Sequence, residues 1–176
     1  MLAAIVQGAS PAIARELPLG SPRLEERRAA VRVAPGVVWT RIVREGGPWR
    51  VNVLRIDRGA LTGRLGGVLS NGRVAGREPA SAMARRARAV AGVNGGFFRA
   101  DGDPVGALAI GSRLLSEPLD GRTALLVPLD RALGARDALN LDGGGSTTMT
   151  VSGEVVNLPS DPEGERPVSN GVFVLP

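Results

Sequence analysis

Asn140-Leu-Asp-Gly-Gly-Gly-Ser-Thr-Thr-Met149 places one carboxylate, Asp142, directly before three glycines and three hydroxyls. Glycine allows a backbone to turn sharply and to approach a ligand closely. Successive backbone N–H groups in such a turn can form a concavity that binds anions. A carboxylate beside an anion cradle indicates acid–base chemistry on a phosphate or a sugar. We also predict that at least one of Gly143, Gly144 and Gly145 has a positive φ or packs its backbone tightly against a ligand, because a Cβ is disfavoured there.

The residue inventory removes most catalytic classes. The chain has no His, Cys or Tyr, and all 22 basic residues are Arg. Cysteine proteases, Ser-His-Asp hydrolases, Schiff-base enzymes and thiolate or imidazole zinc sites are therefore excluded. The absence of Cys also excludes a disulfide framework. An enzyme with this composition works with carboxylates, hydroxyls, amides, arginine and backbone.

The pattern of apolar residues and turns predicts an α+β fold: a mixed β-sheet with hairpins and about two short helices, in a single domain. We divide the chain into an extended lead-in, residues 1–30, and a domain, residues 31–176. The predicted helices are Pro79–Arg88 and Leu129–Leu133. The predicted strands are Val37–Arg44, Trp49–Ile56, Val90–Asn94, Ala107–Leu115 (a hairpin), Thr123–Val127, Ala138–Leu141, Thr148–Val156 (a hairpin) and Gly171–Leu175, with irregular β structure over Leu61–Val74 and a Pro-rich loop over Leu158–Val168.

Net charge, aromatic content and hydropathy limit the kinds of partner that this chain can bind. The net charge of +5 is compatible with nucleic acid, but the arginines are scattered and aromatic residues make up 3% of the chain, so stacking platforms are scarce. We therefore expect no nucleic-acid partner. No segment is long enough to span a membrane. Met1–Val6 is apolar but short and lacks a basic start, which makes it a poor signal peptide.

A second glycine-rich junction, Val93-Asn94-Gly95-Gly96-Phe97-Phe98, resembles the first. Each follows a predicted apolar strand, with a polar residue at the strand's end. If the two strands are neighbours, Asn94 and Asp142 lie side by side at one edge of the sheet, where ligands commonly bind. The alternative is two tight turns in which Asn and Asp serve only as turn residues.

A third polar segment runs from Asn157 through Ser160 and Asp161 to Glu165, Arg166 and Asn170. The planar fork of Arg166 suits bidentate binding of a phosphate. The alternative is a solvated loop with a local Glu–Arg pair. We predict that Asn94, Asp142, Ser146 and Arg166 line one cleft.

Together these segments resemble the phosphodiester glycosidase family. The residues that carry the resemblance are Ala91–Phe98, Gly102–Gly106, Ser116–Pro118, Gly121–Thr123, Ala138–Met149, Val156–Asn157, Pro159–Asp161 and Glu165–Val168. In the family, a substantial segment separates the equivalents of Arg122 and Ala138, whereas here that middle segment is shortened to about fifteen residues. This departure implies that part of the pocket wall and some substrate contacts are missing. The alternative is a compact minimal version of the fold with a more open cleft.

The resemblance implies hydrolysis of a sugar-1-phosphodiester, releasing the sugar and a phosphomonoester. Asp142 is the expected general base or nucleophile, with Glu165 and Glu117 as possible partners. The residues expected to bind the sugar or the phosphate are Asn94, Gly95, Gly96, Arg122, Asn140, Gly143, Gly144, Gly145, Ser146, Thr147, Asn157, Ser160 and Arg166. Of these, Asn94, Asn140, Asn157 and Ser160 would hydrogen-bond sugar hydroxyls or position Asp142.

No cofactor or metal is required by this chemistry, although Asp142 with nearby carbonyls could hold Ca²⁺ or Mg²⁺. The expected partner is a sugar-phosphate or a cell-envelope glycan, with an extracellular or cell-envelope location expected and a cytoplasmic one as the alternative. A non-catalytic carbohydrate- or phosphate-binding domain remains the alternative function.

Overall fold

The computed structural model describes residues 2–7, 26–44, 46, 49–121, 125–128, 135–139 and 141–176. The chain divides into two compact units, Met1–Thr62 and Gly63–Pro176. The predicted boundary between a lead-in and a domain at residues 30 and 31 stays a prediction. Within the lead-in, residues 2–7 and 26–30 are strand residues.

The first unit contains one four-stranded sheet in the order β1-β4-β3-β2. Its strands are β1 (Leu2–Gln7), β2 (Glu26–Ala34), β3 (Val37–Arg44) and β4 (Trp49–Asp57). β1 runs parallel to β4, and the other pairs are antiparallel. The hairpin predicted from Val37–Arg44 and Trp49–Ile56 is therefore confirmed. The turn from β2 to β3 uses Gly36 at φ 72°, where a Cβ would lie 2.6 Å from the Asp57 carbonyl oxygen.

The second unit contains a five-stranded antiparallel sheet, in the order β12-β11-β6-β13-β5. Its strands are β5 (Arg64–Leu69), β6 (Ala91–Asn94), β11 (Met149–Val151), β12 (Glu154–Val155) and β13 (Asn170–Leu175). The second sheet of this unit has the order β8-β7-β10-β9 and is antiparallel. It consists of β7 (Leu108–Ile110), β8 (Arg113–Ser116), β9 (Leu125–Pro128) and β10 (Ala135–Leu139).

The helix α1 (Ala80–Arg86) packs on the core of this unit. Pro79 precedes it, as the sequence predicted. The helix ends in a Schellman arrangement, in which Arg88 N–H bonds to Arg85 O and Ala89 N–H bonds to Ala84 O, with Arg88 at φ 52°. Its buried face joins a core cluster of Val68, Ala80, Met83, Ala84, Ala89, Val168, Phe173 and Leu175.

Small residues in β6 and β13 allow Phe173 to lie flat on the sheet. A Cβ on Gly92 would lie 2.1 Å from the Phe173 ring, and one on Gly171 would lie 2.4 Å from it. Phe173 is directly opposite Gly92 in the register and is fully buried. The packing of this ring therefore requires glycine at both positions.

The α+β prediction holds in its coarse form, but the described residues are mostly strand. α1 is the one α-helix among them, with short 3₁₀ turns at Ser70–Gly72 and Gly144–Ser146. The second predicted helix, residues 129–133, lies outside the described residues. No helix in the described part of the chain is long and apolar enough to cross a membrane.

Candidate active site at two glycine-rich turns

The first glycine-rich turn contains Gly95 and Gly96 after Asn94, and the second contains Gly143, Gly144 and Gly145 after Asp142. The two turns meet through backbone and side-chain hydrogen bonds. Asp142 N–H donates to Gly95 O at 2.8 Å, and Asn94 Nδ2 donates to Asp142 O at 2.9 Å. The two strands before these turns are not neighbours, so the condition under which the sequence placed Asn94 beside Asp142 is not met. The strand predicted at Ala138–Leu141 is β10, which ends at Leu139 and belongs to the second sheet, whereas β6 pairs with β11 and β13.

Asn94 is a clamp between the turns. Its side chain is 3% exposed. Besides the bond to Asp142 O, Nδ2 lies 3.3 Å from Gly95 O, and Oδ1 accepts the Thr148 N–H at 3.0 Å. Both ends of the amide are therefore engaged by backbone groups. The geometry agrees with the second of the two predicted roles of Asn94, the positioning of Asp142, and a contact with sugar hydroxyls stays a prediction.

Asn170, at the start of β13, holds the first turn from the other side. Its carbonyl oxygen accepts the Gly95 N–H at 2.7 Å, and its Oδ1 accepts the Gly96 N–H at 3.0 Å. A Cβ on Gly95 would lie 1.9 Å from Asn170 Oδ1, so this close approach requires glycine. Because Asn170 takes both N–H groups, neither is left to bind a phosphate in this conformation.

Asn157 performs the same task for the end of the second turn. Its Nδ2 donates to Thr147 O at 2.8 Å, and its Oδ1 accepts the Met149 N–H at 2.7 Å. Asn94 and Asn157 thus each bridge a backbone N–H and a backbone C=O, whereas Asn170 accepts two backbone N–H groups and donates its Nδ2 to Ser169 Oγ. A buried primary amide can satisfy both kinds of group at once, which keeps irregular backbone from leaving polar atoms unpaired.

The turn that follows Asp142 is open toward solvent. Gly144 has φ 59°, which confirms the predicted positive φ. Gly143 N–H donates to Asp142 Oδ1 at 2.8 Å, while Ser146 N–H and Thr147 N–H donate back to the carbonyls of Gly143 and Gly144. The N–H groups of Gly144 and Gly145 have no acceptor among the described residues. They are the backbone donors that remain for an anion.

Arg166 lies against this turn. A Cβ on Gly145 would lie 2.7 Å from Arg166 Nη2 and 3.3 Å from Nη1, so glycine is required for the guanidinium to sit there. The guanidinium pairs with Asp161, through Nε at 2.8 Å and Nη2 at 2.7 Å. The alternative prediction, a local ion pair between a glutamate and Arg166, is therefore wrong in the identity of the acidic residue, which is Asp161.

Asp161 is held in its charged form. The backbone N–H of Glu163 first, and the Arg166 guanidinium second, lower the pKa of the Asp161 carboxyl. The Arg166 side chain remains 49% exposed, so one edge of the fork is open to solvent while Asp161 fixes the other.

The three predicted catalytic carboxylates have different surroundings. Asp142 is half-buried, with Oδ1 bound to Gly143 N–H and with no partner for Oδ2 in the described part of the chain. Glu165 accepts Ser81 N–H at 2.7 Å and Ser81 Oγ–H at 2.6 Å, which attaches the Arg166 loop to the first turn of α1. Glu117 is exposed after β8, and no hydrogen bond among the described residues joins it to Asp142.

The other predicted binding residues divide into three groups. Ser146 is 1% exposed, and its Oγ has no hydrogen-bond partner among the described residues. Ser160 is exposed on the loop. Arg122 and Asn140 lie outside the described residues. The described residues contain no group of three or more carboxylates suited to a metal ion, and the expectation that no metal is needed stays a prediction.

Sequence reasoning missed Asn170 and Ser81 as parts of this arrangement. Asn170 was inside the third polar segment, immediately before the predicted last strand, and a polar residue at a strand's start next to two glycine-rich junctions was the available signal. Ser81 had no such signal, because its contact with Glu165 joins residues 84 positions apart.

Residues 126–175 match the model of the phosphodiester glycosidase family. The match confirms the resemblance over this part of the chain. It includes Asp142, the three glycines after it, Asn157 and Arg166, whereas Asn94 and the first glycine-rich turn lie outside it. No curated protein gives a match.

The fold as a whole is shared with a solved structure. A candidate exported protein from Burkholderia pseudomallei K96243 superposes with a TM-score of 0.65, at 14% sequence identity, over 93% of this chain and 99% of that chain. At this identity the likeness establishes the fold alone.

Proposed function

We propose that this chain hydrolyses a sugar-1-phosphodiester, releasing the sugar and a phosphomonoester. The observation that carries the proposal is the arrangement of the second turn. Asp142 lies at its start, and the Oδ2 of Asp142 has no partner among the described residues. The Arg166 guanidinium lies against Gly145 in the same turn. A negative group that can take a proton and a positive group that can hold a phosphate therefore occupy the same few residues. The family match over residues 126–175 supports the same reaction.

The phosphate would bind at the positive side of the turn. The open edge of the Arg166 guanidinium and the N–H groups of Gly144 and Gly145 offer donors to phosphate oxygens. Asp161 holds Nε and Nη2 of the arginine in place before substrate arrives. Such preorganised donors stabilise charge as it develops on the leaving phosphate.

Asp142 would supply the chemistry at the sugar. As a general base it accepts a proton from water, the water oxygen bonds to C1 of the sugar, and the C1–O bond breaks with its electron pair leaving on the phosphate. As a nucleophile, an Asp142 oxygen bonds to C1 while the C1–O bond breaks and its electron pair leaves on the phosphate. Water then bonds to C1, the bond to Asp142 breaks and restores the carboxylate, and the proton of the water passes to solvent or to the phosphomonoester. A phosphomonoester anion leaves without a strong general acid, which suits a chain that has no His.

A non-catalytic carbohydrate- or phosphate-binding domain is the second candidate, and one observation favours it. Glu165, which the sequence paired with Asp142, is bound through both carboxylate oxygens to Ser81. Glycosidases ordinarily use two carboxylates, and here Asp142 is the one acidic residue that the described hydrogen bonds join to both glycine-rich turns, through its backbone to the first and through its carboxylate to the second.

The proposed substrate is a sugar-phosphate or a cell-envelope glycan, and the proposed location is extracellular or at the cell envelope. Its support is the fold shared with a protein from B. pseudomallei that is described as a candidate exported protein. A cytoplasmic location is the alternative, which fractionation of the native host would distinguish.

The deciding experiment compares the wild-type chain with Asp142→Asn on a panel of aryl sugar-1-phosphodiesters, measuring release of the aryl phosphomonoester. Asp142→Asn nearly preserves shape but removes the proton acceptor, so turnover should fall by about 10²–10⁴-fold. Asp120→Asn, at an exposed position, is the matched control and should keep full activity. Equal rates for Asp142→Asn and wild type would remove Asp142 from the mechanism. Substrate binding without turnover by the wild type would establish the binding domain instead.

A further inference from the structure

The whole net charge of the protein lies in its first unit. Residues Met1–Thr62 carry ten arginines and five carboxylates, while Gly63–Pro176 carry twelve of each, so the net charge of +5 belongs to the first unit alone. The unit that contains the candidate active site is neutral. A charge separated in this way, on a unit that the proposed chemistry does not use, points to a binding role for the first unit.

One face of the β2–β3–β4 sheet carries three of these arginines and no carboxylate, whereas the opposite face carries four arginines together with Glu26 and Asp57. In the register, Val43 of β3 lies between Arg27 of β2 and Arg50 of β4. Arg41 is two residues from Val43 along β3, and so it points to the same face. With strands about 4.8 Å apart and residues i and i+2 about 6.8 Å apart, the three Cα atoms lie within roughly 10 Å of one another. All three side chains are exposed, and Arg41 and Arg50 have no carboxylate partner among the described residues.

Trp39 adjoins the arginines on this face. It is two residues from Arg41 on β3, and it is half-buried. Its indole Nε1–H donates to Asn52 Oδ1 at 3.1 Å, and Asn52 is 4% exposed, so the ring is fixed in orientation. Val31, opposite Trp39 on β2, is 51% exposed. Both tryptophans of the chain, Trp39 and Trp49, lie in this sheet.

We propose that this arginine face, formed by Arg27, Arg41, Arg50 and Trp39, binds a glycan polymer whose sugars are joined by phosphodiesters. The arginines match phosphates repeated along a chain, and a fixed, partly exposed indole offers an apolar surface to the C–H face of a sugar ring. β2 is an edge strand whose residues 27–32 are exposed on both faces of the sheet, which leaves room for an extended polymer. The choice of a glycan over a nucleic acid rests on the proposed function of the second unit.

The test measures binding of the full-length Asp142→Asn chain to a defined oligomer of phosphodiester-linked N-acetylglucosamine. Neutral chitin oligomers and oligothymidylate of equal length serve as comparison ligands. The arginine-face variant is Arg41→Gln with Arg50→Gln. Its matched control is Arg73→Gln with Arg113→Gln, which removes the same charge from exposed positions in the second unit.

We expect the phosphoglycan to bind at least about 10-fold tighter than either comparison ligand, with an affinity that falls as salt rises. The arginine-face variant should lose about 10-fold in affinity and show a shallower salt dependence, because each arginine–phosphate contact contributes to that slope. The second-unit control should bind as the parent does. Trp39→Phe, which keeps an apolar ring, should weaken phosphoglycan binding and leave the salt slope unchanged.

Three results would overturn the proposal. The first is an equal loss of phosphoglycan affinity in the arginine-face variant and in its second-unit control. The second and third are binding of oligothymidylate, or of neutral chitin oligomers, as tight as that of the phosphoglycan. Turnover of a small aryl sugar-1-phosphodiester by the Arg41/Arg50 variant, made in the active background, separates this proposal from the enzymatic one. That rate should stay at the wild-type level, and the absence of turnover in the wild type would refute the proposed reaction without touching the binding result.

Discussion

Replacing Asn94 with alanine distinguishes a clamp from a sugar-binding residue. The change removes the donor to Asp142 O at 2.9 Å, the weaker contact with Gly95 O at 3.3 Å and the acceptor for Thr148 N–H at 3.0 Å. Two well-formed hydrogen bonds contribute about 1 kcal/mol each, and leaving a buried N–H unpaired costs roughly 1–3 kcal/mol more. We therefore expect Asn94→Ala to destabilise the chain by about 3–5 kcal/mol. For a chain of this size that corresponds to a fall in Tm of roughly 6–20 °C.

Urea unfolding and thermal scans followed by circular dichroism measure the stability, and turnover of an aryl sugar-1-phosphodiester measures the site. If Asn94 is a clamp, stability falls and kcat falls with it, because Asp142 loses a positioning contact. Ser160→Ala, on the exposed loop, serves as the comparison and should leave stability unchanged within about 0.5 kcal/mol. A variant of Asn94 with native stability and a raised KM alone would refute the clamp and restore the sugar contact that the sequence predicted.

Three further predictions concern the neighbouring elements. Glu165→Gln should destabilise the chain by about 1–2 kcal/mol, because one of the two Ser81 donors loses its acceptor; a large loss of kcat at unchanged stability would instead make Glu165 catalytic. Arg88→Gly should stabilise the chain by about 0.5–1 kcal/mol in urea unfolding, since Arg88 adopts a left-handed conformation that glycine adopts without strain, and a loss of stability would contradict this. The pKa of Asp161 is lowered by a backbone N–H and by Arg166, so the stability it contributes is present above its unfolded pKa of about 3.9 and is lost as the pH falls through the lower folded pKa. Unfolding measured from pH 5 to pH 2 should therefore show a smaller loss for Asp161→Asn than for the wild type.

The hairpins and strands were predictable because local patterns determine them. Val37–Arg44 and Trp49–Asp57 are rich in β-branched residues, Glu45-Gly-Gly-Pro48 separates them in the sequence, and they form the antiparallel pair β3–β4. Ser152-Gly153 makes the turn between β11 and β12, with both residues at positive φ. The length of β10 was not predictable in the same way. Its ends are set by its pairing with β7 and β9 inside the second sheet. A single apolar run in the sequence does not specify that pairing.

The convergence of Asn94 and Asp142 was predicted correctly, but for a wrong reason. The sequence argument placed them side by side only if their strands were neighbours. In the structure, the strands belong to different sheets, and the side-chain amide of Asn94 donates a hydrogen bond to the backbone carbonyl of Asp142. Sequence shows where asparagine and glycine occur. It does not show which asparagine amide reaches which backbone group, since that depends on side-chain direction in the folded chain.

The same chemistry explains how a glycine-rich site remains ordered without a disulfide or a histidine. Glycine loses more backbone entropy on folding than any other residue, so Gly95, Gly96 and the turn after Asp142 are costly to fix. Asn94 and Asn157 offset that cost with amides that each satisfy a backbone donor and a backbone acceptor, and Asn170 accepts the N–H groups of Gly95 and Gly96. Each asparagine that fixes a turn is also withdrawn from substrate binding. The donors left for substrate are then those that the asparagines do not reach, namely Arg166 and the Gly144 and Gly145 N–H groups, beside the carboxylate that Asn94 holds in place.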